Sequence, residues 1–362
     1  MVNFMLFNFL APSRLSIWWT LGFSLGMMIV VQVLSGFCLA CYYVPEVDVA
    51  LNSVIYIIKE VKGGWFIHHI HSCGASVIFF LLYFHMLKSL FYYSYVSRRR
   101  VWWSGILIYI FLSLEAFLGY ILPWGQMAYW AGTVITNLIQ VIPIMGGFLY
   151  CLILGESNLG SATLRRFYVF HVLVPFFIFG LVLLHLYFLH EKGSSAPYFW
   201  VSSFRFARFY PTLFFFDLFS FCLIFLVFLV FVFQFPYILG DVQNWVPVNS
   251  LQTPVSIVPE WYFLWDYAVL RCIPSKVLGV LILVFFYLLL ILFPLLKGVK
   301  DIMQGAINPV YCIFSLALFI GFFSLSCLGA TPPEWPYIGV TRFYLFYTIV
   351  LFFGGLFFLR FW

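Results

Sequence analysis

Four histidines occur in two apolar segments of the sequence with one shared spacing. His71 and His85 are 14 residues apart in the first segment, and His171 and His185 are 14 residues apart in the second. On an α-helix, 14 residues make just under four turns, so the members of each pair lie on nearly one face, about 21 Å apart along the axis. Ionisable residues inside a membrane are costly and mark functional sites.

Two parallel helices with this spacing would make two stacked sites, each with two facing imidazoles. His71 would be level with His171, and His85 with His185. Two axial nitrogens without a carboxylate or thiolate suit a six-coordinate haem iron that carries electrons. Zinc would need four ligands, and neither level supplies a second pair. The spacing therefore predicts that these four histidines are the metal ligands of two haems.

Glycines in two other segments repeat the histidine spacing. Gly22 and Gly36 are 14 residues apart, as are Gly105 and Gly119. Small residues also let membrane helices pack closely for purely structural reasons. Because the same interval occurs twice more, we predict that these glycines allow the backbone to approach the bound haems.

The composition shows which elements must position these residues. The chain has 362 residues, of which 65% are hydrophobic and 8% charged, whereas about 25% are charged in an ordinary soluble domain. Soluble enzymes and nucleic-acid-binding modules are excluded, and a polytopic protein in membrane lipid is predicted. Stretches of about 20 apolar residues, enough to cross a bilayer, predict eight spans: Trp18 to Tyr43, Trp65 to Leu90, Trp102 to Leu122, Phe167 to Leu189, Leu213 to Phe235, Val277 to Leu296, Pro309 to Leu328 and Val340 to Leu359.

The basic residues predict how the chain is threaded through the membrane. The side with both termini holds 11 Lys and Arg residues, and the opposite side holds 7. The positive-inside rule therefore places both termini on the inner side. The second and fourth spans then both run from outside to inside, as the paired histidines require.

The predicted fold class is an all-α membrane protein with eight transmembrane helices. Residues 1–212 would form a haem-binding region whose four spans make a bundle, and residues 213–362 would form a C-terminal region. Two connections are too long for simple turns. We expect short interfacial helices between residues 125 and 166 on the outer side, and an ordered, functional loop between residues 236 and 275.

The eight cysteines do not predict a disulfide framework, because most lie singly in apolar segments. Cys38 and Cys41 have the spacing of a covalent haem site, but Tyr42 follows where that motif needs histidine. We therefore expect free thiols and non-covalent haem. No cleaved signal peptide is expected, because the first apolar run is too long.

Several separated motifs resemble the cytochrome b family, the membrane subunits of cytochrome bc1 complexes. Besides the four histidines, the chain has GYILPWGQM from Gly119 to Met127, TVITNL from Thr133 to Leu138, and PEWY from Pro259 to Tyr262. The resemblance runs from about Trp18 to the end. Cytochrome b6 fits less well, because chains of that type end after four spans and usually have a second histidine pair spaced one residue wider.

The resemblance implies the catalytic subunit of a quinol–cytochrome c reductase, or complex III. Ubiquinol would be oxidised at an outer site, with one electron passing to a Rieske iron–sulfur protein and the other through the outer and inner haems b. Quinone would be reduced at an inner site, with coupled proton translocation. Implied partners are the Rieske protein, cytochrome c1, other subunits of the complex and a second copy in a homodimer. The implied location is the mitochondrial inner membrane with matrix termini, or alternatively a bacterial plasma membrane.

The resemblance also assigns roles to individual residues. Glu260 of the PEWY motif would accept a proton at the outer quinol site, although a loop acid without that context would be read as solvated. Tyr120 and Tyr262 would line the same pocket, with Pro123 and Gly125 shaping its floor.

At the inner site, His190 and Asp217 would bind and protonate quinone. Without the resemblance, they read equally well as a snorkelling histidine and an ordinary first-turn acid. Arg166 and Lys88 would contact haem propionates.

Four departures from the family pattern remain. His68 stands where arginine is usual, and Phe216 stands where lysine usually precedes the inner-site acid. His68 and its neighbour His69 are expected at the outer interface. The segment before the first span is shorter than is common in the family. Glu115 is unusual, and the hypothesis is that it takes part in proton handling at the outer site.

Two other function classes predict different sequence features. A transporter should have helix-breaking Gly or Pro at matched positions in two halves, and the halves of this chain differ. A purely structural membrane subunit would not need four histidines in register. A reduced-minus-oxidised spectrum distinguishes these classes from the haem protein.

Overall fold

The structure is a computed structural model that describes residues 10–13, 15–195, 206–295 and 309–361. For residues 309–310 and 355–361, only the backbone is described. Four basic residues assigned to the inner side lie outside these ranges, namely Arg14, Arg205, Lys297 and Lys300.

Thirteen α-helices and one pair of short strands make up the described part of the chain. The helices are α1 (Leu21–Ala40), α2 (Ala50–Lys59), α3 (Gly64–Phe91), α4 (Ser94–Ser97), α5 (Arg99–Ile121), α6 (Gln126–Asn137), α7 (Gly146–Leu154), α8 (Ser161–Lys192), α9 (Phe214–Gln234), α10 (Leu264–Cys272), α11 (Lys276–Leu292), α12 (Pro309–Gly329) and α13 (Tyr337–Phe361). Strands β1 (Leu10–Pro12) and β2 (Phe206–Arg208) pair antiparallel.

Eight of the described helices are long and apolar enough to cross a membrane, namely α1, α3, α5, α8, α9, α11, α12 and α13. The predicted fold class is confirmed. The first span is shorter than predicted, because Trp18 and Trp19 belong to a preceding 3-10 turn. The fourth is longer, with α8 running from Ser161 to Lys192.

The predicted short helices between residues 125 and 166 are present as α6 and α7. Three further helices, α2, α4 and α10, were not predicted. Helix α10 corrects the expectation of a loop from residue 236 to residue 275. Helix α10 forms because Trp265, Ala268, Val269 and Cys272 recur on one face and are all buried.

The first four spans pack as two antiparallel pairs, α1 with α3 and α5 with α8. Helix α1 also contacts α8, and α9 packs across α1 and α3. Each antiparallel pair combines one glycine-bearing helix with one histidine-bearing helix. This packing sets which glycine meets which histidine.

A candidate di-haem electron-transfer site

The structure brings the four histidines together in the two predicted pairs. His71 and His171 form the outer pair, whose ring centroids are 6.0 Å apart and whose ring planes meet at 90°. In the inner pair, the rings of His85 and His185 have centroids 6.4 Å apart. Imidazole nitrogens bind a metal ion at about 2 Å, which places the centroids of two opposed rings roughly 6 Å apart. Each pair therefore leaves the room that one metal ion needs.

Each of the four spaced glycines lies against one of these imidazoles. A Cβ atom on Gly36 would lie 3.0 Å from Cε1 of His71, and one on Gly119 would lie 2.5 Å from Cε1 of His171. At the inner pair, a Cβ on Gly22 or Gly105 would lie 3.2 Å from Cε1 of its histidine, His85 or His185 respectively. The sequence predicts an approach to the bound group, and the structure adds that each glycine makes room for a ring.

Three of the four imidazoles have a hydrogen-bond partner at Nδ1. The hydroxyl of Ser35 is 3.0 Å from Nδ1 of His71, and that of Ser104 is 2.9 Å from Nδ1 of His185. Partners at Nδ1 fix ring orientation and leave Nε2 available to a metal. Neither serine was predicted as a partner, although each directly precedes a spaced glycine, which is a signal that could have identified them.

The third partner is Glu115, whose Oε1 is 2.7 Å from Nδ1 of His171. Within the described residues, no group of three or more His, Cys, Asp or Glu side chains is arranged to hold a metal ion. The donor set is thus two imidazoles per site. With the glycine cradles and the ring separations, it fits the axial ligation of haem.

A cavity of about 800 Å³ joins the outer pair to the PEWY segment. Its lining includes His71 and His171, and also Tyr120, Glu260 and Tyr262. Pro123 lines it too, whereas Gly125 pairs with Pro247 in the loop after α9. The three residues predicted for the outer quinol site therefore face the same space as the outer pair.

The Glu260 carboxyl lies in a poorly solvated part of this cavity. Burial raises the pKa of Glu260 to about 7, and the nearby Asp241 carboxylate adds to the rise. A carboxyl group with such a pKa can both accept and release a proton near neutrality. Nothing in the sequence pattern marks Asp241 as a neighbour of Glu260.

Tyr262 is held rigidly beside Glu260. Its ring is 5% exposed and stacks on Phe79 with centroids 4.2 Å apart, and its carbonyl accepts a hydrogen bond from Tyr83. Burial raises the pKa of Tyr262 well above its usual value, so its hydroxyl stays neutral. Trp261 is also anchored, since its indole N–H donates to the Ser76 hydroxyl over 3.1 Å.

The two neighbours of His71 differ in position. His68 lines the cavity, with its ring centroid 6.0 Å from that of Trp245. His69 is 6% exposed, and its Nε2 is 3.1 Å from the Tyr237 hydroxyl. His69 is therefore covered by the loop after α9, and its place at the outer interface stays a prediction.

The remaining predicted residues lie at the ends of the spans. Lys88 is one turn after His85, with its ammonium 4.7 Å from the centroid of the Trp19 ring. Arg166 is exposed, donates to the Leu152 carbonyl and is not part of the cavity lining. Its role at a haem propionate and that of Lys88 stay predictions.

The two inner-site candidates lie on different helices. His190 is in the last turn of α8, and Asp217 is in the first turn of α9. Both are half-buried. Their contact with quinone stays a prediction.

Comparisons with known proteins agree with this geometry. Residues 6–193 match the family model described as cytochrome b/b6/petB, and residues 247–351 match the model of the C-terminal part of cytochrome b/b6/petD. The chain is 41% identical over 329 residues to cytochrome b of Albinaria caerulea, covering 91% of this chain and 89% of that protein. It is 39% identical over 337 residues to cytochrome b of Phytophthora megasperma, covering 93% and 88%.

A solved structure also matches along nearly the whole chain. A chain of a hyperthermophilic respiratory complex III superposes with a TM-score of 0.91 at 29% sequence identity, covering 98% of this chain and 95% of that chain. Together, the two family models and the two curated relatives cover the histidine-bearing helices and the PEWY segment. The chain belongs to the cytochrome b/b6 family, as an electron-transfer subunit of a quinol:cytochrome c oxidoreductase.

Proposed function

We propose that this chain moves electrons across the membrane between a quinol-oxidising site at the outer face and a quinone-reducing site at the inner face. Two haems b, held by the outer and inner histidine pairs, would each accept and pass on one electron at a time. The observation that carries the proposal is that two opposed histidine pairs lie at two levels of the same helices, with the outer pair lining the same cavity as Glu260.

At the outer site, the PEWY segment would bind and deprotonate quinol. Oxidation of one quinol releases two electrons and two protons. Glu260 would accept a proton at its carboxylate, since its raised pKa matches neutral conditions. The aromatic side chains of Tyr120 and Tyr262 would orient the quinol ring and exclude water from this cavity.

One electron would leave the outer site to a Rieske iron–sulfur protein and onwards to cytochrome c1. The other would cross to the inner face, where His190 and Asp217 would bind quinone and supply protons. The match to a respiratory complex III supports assembly with other subunits. The proposed arrangement is a homodimer of the complex, in the mitochondrial inner membrane with both termini in the matrix.

The proposal is tested by removing one ligand from each pair. His171→Leu should eliminate the outer b-type signal and block quinol oxidation, whereas His185→Leu should eliminate the inner signal and block electron transfer to the inner face. His69→Leu is the matched control, because His69 lies in α3 outside both pairs. Retention of both spectroscopic signals in His171→Leu and His185→Leu would overturn the ligand assignment.

A further inference from the structure

Glu115 holds His171 through two acceptors of its own. Its carboxylate Oε1 is 2.7 Å from Nδ1 of His171, and its backbone carbonyl oxygen is 3.2 Å from the same nitrogen. One turn later on α5, Gly119 makes room for the same ring. The two residues together fix the orientation and the tautomer of this imidazole.

No other paired histidine has an acidic partner in the described residues. His71 and His185 have serine hydroxyls at Nδ1, and Nδ1 of His85 is buried without a hydrogen-bond partner. Oε2 of Glu115 is also buried without a partner, and in the described residues the carboxylate contacts one basic side chain, His171. The Glu115 carboxyl group is therefore directed to the outer pair alone.

A carboxylate at Nδ1 increases the electron density that an imidazole donates to a metal ion. Such partners raise ligand basicity, and charged acceptors make hydrogen bonds about twice as strong as neutral ones. Both effects stabilise the more positive, oxidised state of the metal and so lower its reduction potential. Low surrounding polarity strengthens the interaction, and the Glu115 side chain is only 14% exposed.

The inner pair has the opposite charge beside it. Lys88 follows His85 by one turn of α3. A nearby cation favours the reduced state, whereas a nearby anion favours the oxidised state. The charged neighbours of the two pairs thus favour electron movement from the outer level to the inner level.

We propose that Glu115 is a positioning residue that lowers the reduction potential of the outer centre through His171. The inference rests on the proposed function, since it requires a haem at the outer pair. It assigns Glu115 a role on the ligand side of the cavity, which is distinct from the proton acceptance proposed for Glu260.

The test is a redox titration of the purified complex, with the outer and inner optical signals resolved. Glu115→Gln keeps the shape of the side chain and an oxygen that can accept from His171, but it removes the charge. We expect the equilibrium constant for electron transfer from the outer to the inner centre to fall about tenfold, which for one electron corresponds to about 59 mV. The whole shift should appear in the outer potential.

Asp266→Asn is the matched control, because it makes the same acid-to-amide change at another buried side chain, whose hydrogen-bond partner is Tyr287 and not a paired histidine. The inference is wrong, while the proposed function stands, if Glu115→Gln leaves the outer reduction potential unchanged or shifts both potentials equally. It is also wrong if Asp266→Asn shifts the outer potential by the same amount. If the wild-type complex lacks two resolvable b-type centres, the proposed function itself fails.

A second variant covers the case in which Glu115→Gln does not retain the outer centre. Ser104→Asp would place a carboxylate close to Nδ1 of His185, where the hydroxyl now lies at 2.9 Å. We expect it to lower the inner potential without moving the outer one. An unchanged inner potential in a variant that retains both centres would then overturn the inference.

Discussion

Each paired histidine works only with a second residue that shapes its surroundings. The glycine opposite each ring supplies space, and a hydroxyl or carboxylate at Nδ1 supplies orientation for three of the four. The ligand set was predictable from helix periodicity, because residues 14 apart return to one face. The two serine partners at Nδ1 had one signal, their position directly before a spaced glycine. The partner Glu115 had none of this kind, because its contact with His171 depends on which helices pack together and on side-chain rotamers.

Space beside His171 is tightest at Gly119. A Cβ atom at this position would lie 2.5 Å from Cε1 of His171, so Gly119→Ala must displace the ring, at a cost of about 1–3 kcal/mol. We expect loss of the outer b-type signal with the inner signal retained, measured by optical spectroscopy. In the control Gly180→Ala, nothing lies within 4 Å of the new Cβ, and both signals should persist. An intact outer signal in Gly119→Ala would contradict the packing.

The pKa of Glu260 predicts the pH dependence of quinol oxidation. A proton acceptor must be ionised, and the ionised fraction rises as the pH passes upward through a pKa of about 7. Turnover should therefore rise across this range and level off above it. In Glu260→Gln we expect turnover to fall by about 10²- to 10⁴-fold and the rise to disappear.

Steady-state turnover of the complex between pH 5.5 and 9, a range of about 1.5–2 units on either side of that pKa, measures this effect. Glu334→Gln is the control, because Glu334 is an exposed acid in the connection between α12 and α13. A pH profile in Glu260→Gln that matches the wild type would exclude Glu260 as the acceptor.

Among the elements, α10 bears on the outer site because it directly follows the PEWY segment. Arg271 in its last turn donates to the carbonyls of Leu328 and Thr331 and stacks over Tyr267. Arg342 of α13 donates to the Cys272 carbonyl over 2.9 Å. These contacts tie the PEWY segment to the last two spans.

Removing this connection should destabilise the complex. A hydrogen bond from a charged group contributes about 1.5–3 kcal/mol, so Arg271→Leu should lower the thermal unfolding temperature and increase proteolysis of residues 236–275. Arg165→Leu is the control, since Arg165 forms an exposed ion pair with Glu46, of a kind worth about 0–1 kcal/mol. Equal effects of the two substitutions would contradict a stabilising connection between α10 and the last two spans.

The long spans were predictable as elements, as were α6 and α7, whereas α2, α4 and α10 were not. Apolar length alone identifies a membrane-crossing helix such as α3 or α8. Helices α2 and α10 have only 10 and 9 residues, and helices of that length depend on packing rather than on propensity. Which face of α2 or α10 is buried depends on the neighbouring spans, so it could be identified only from the packed structure.

In the whole molecule, the two histidine pairs lie at two different depths along the membrane-spanning helices. Their levels are about 21 Å apart along the helices, within a hydrocarbon layer of about 30 Å. The outer pair opens into the cavity of the PEWY segment. The eight spans thus hold two opposed histidine pairs between the faces at which quinol and quinone would react.

The central claim is that one chain holds two haems through two opposed pairs of histidines. The most direct measurement is the haem content of the purified complex per copy of this chain, combined with its reduced-minus-oxidised spectrum during redox titration. We predict two non-covalently bound b-type haems per chain, titrating as two separate one-electron centres. One haem per chain, or none, would contradict the account.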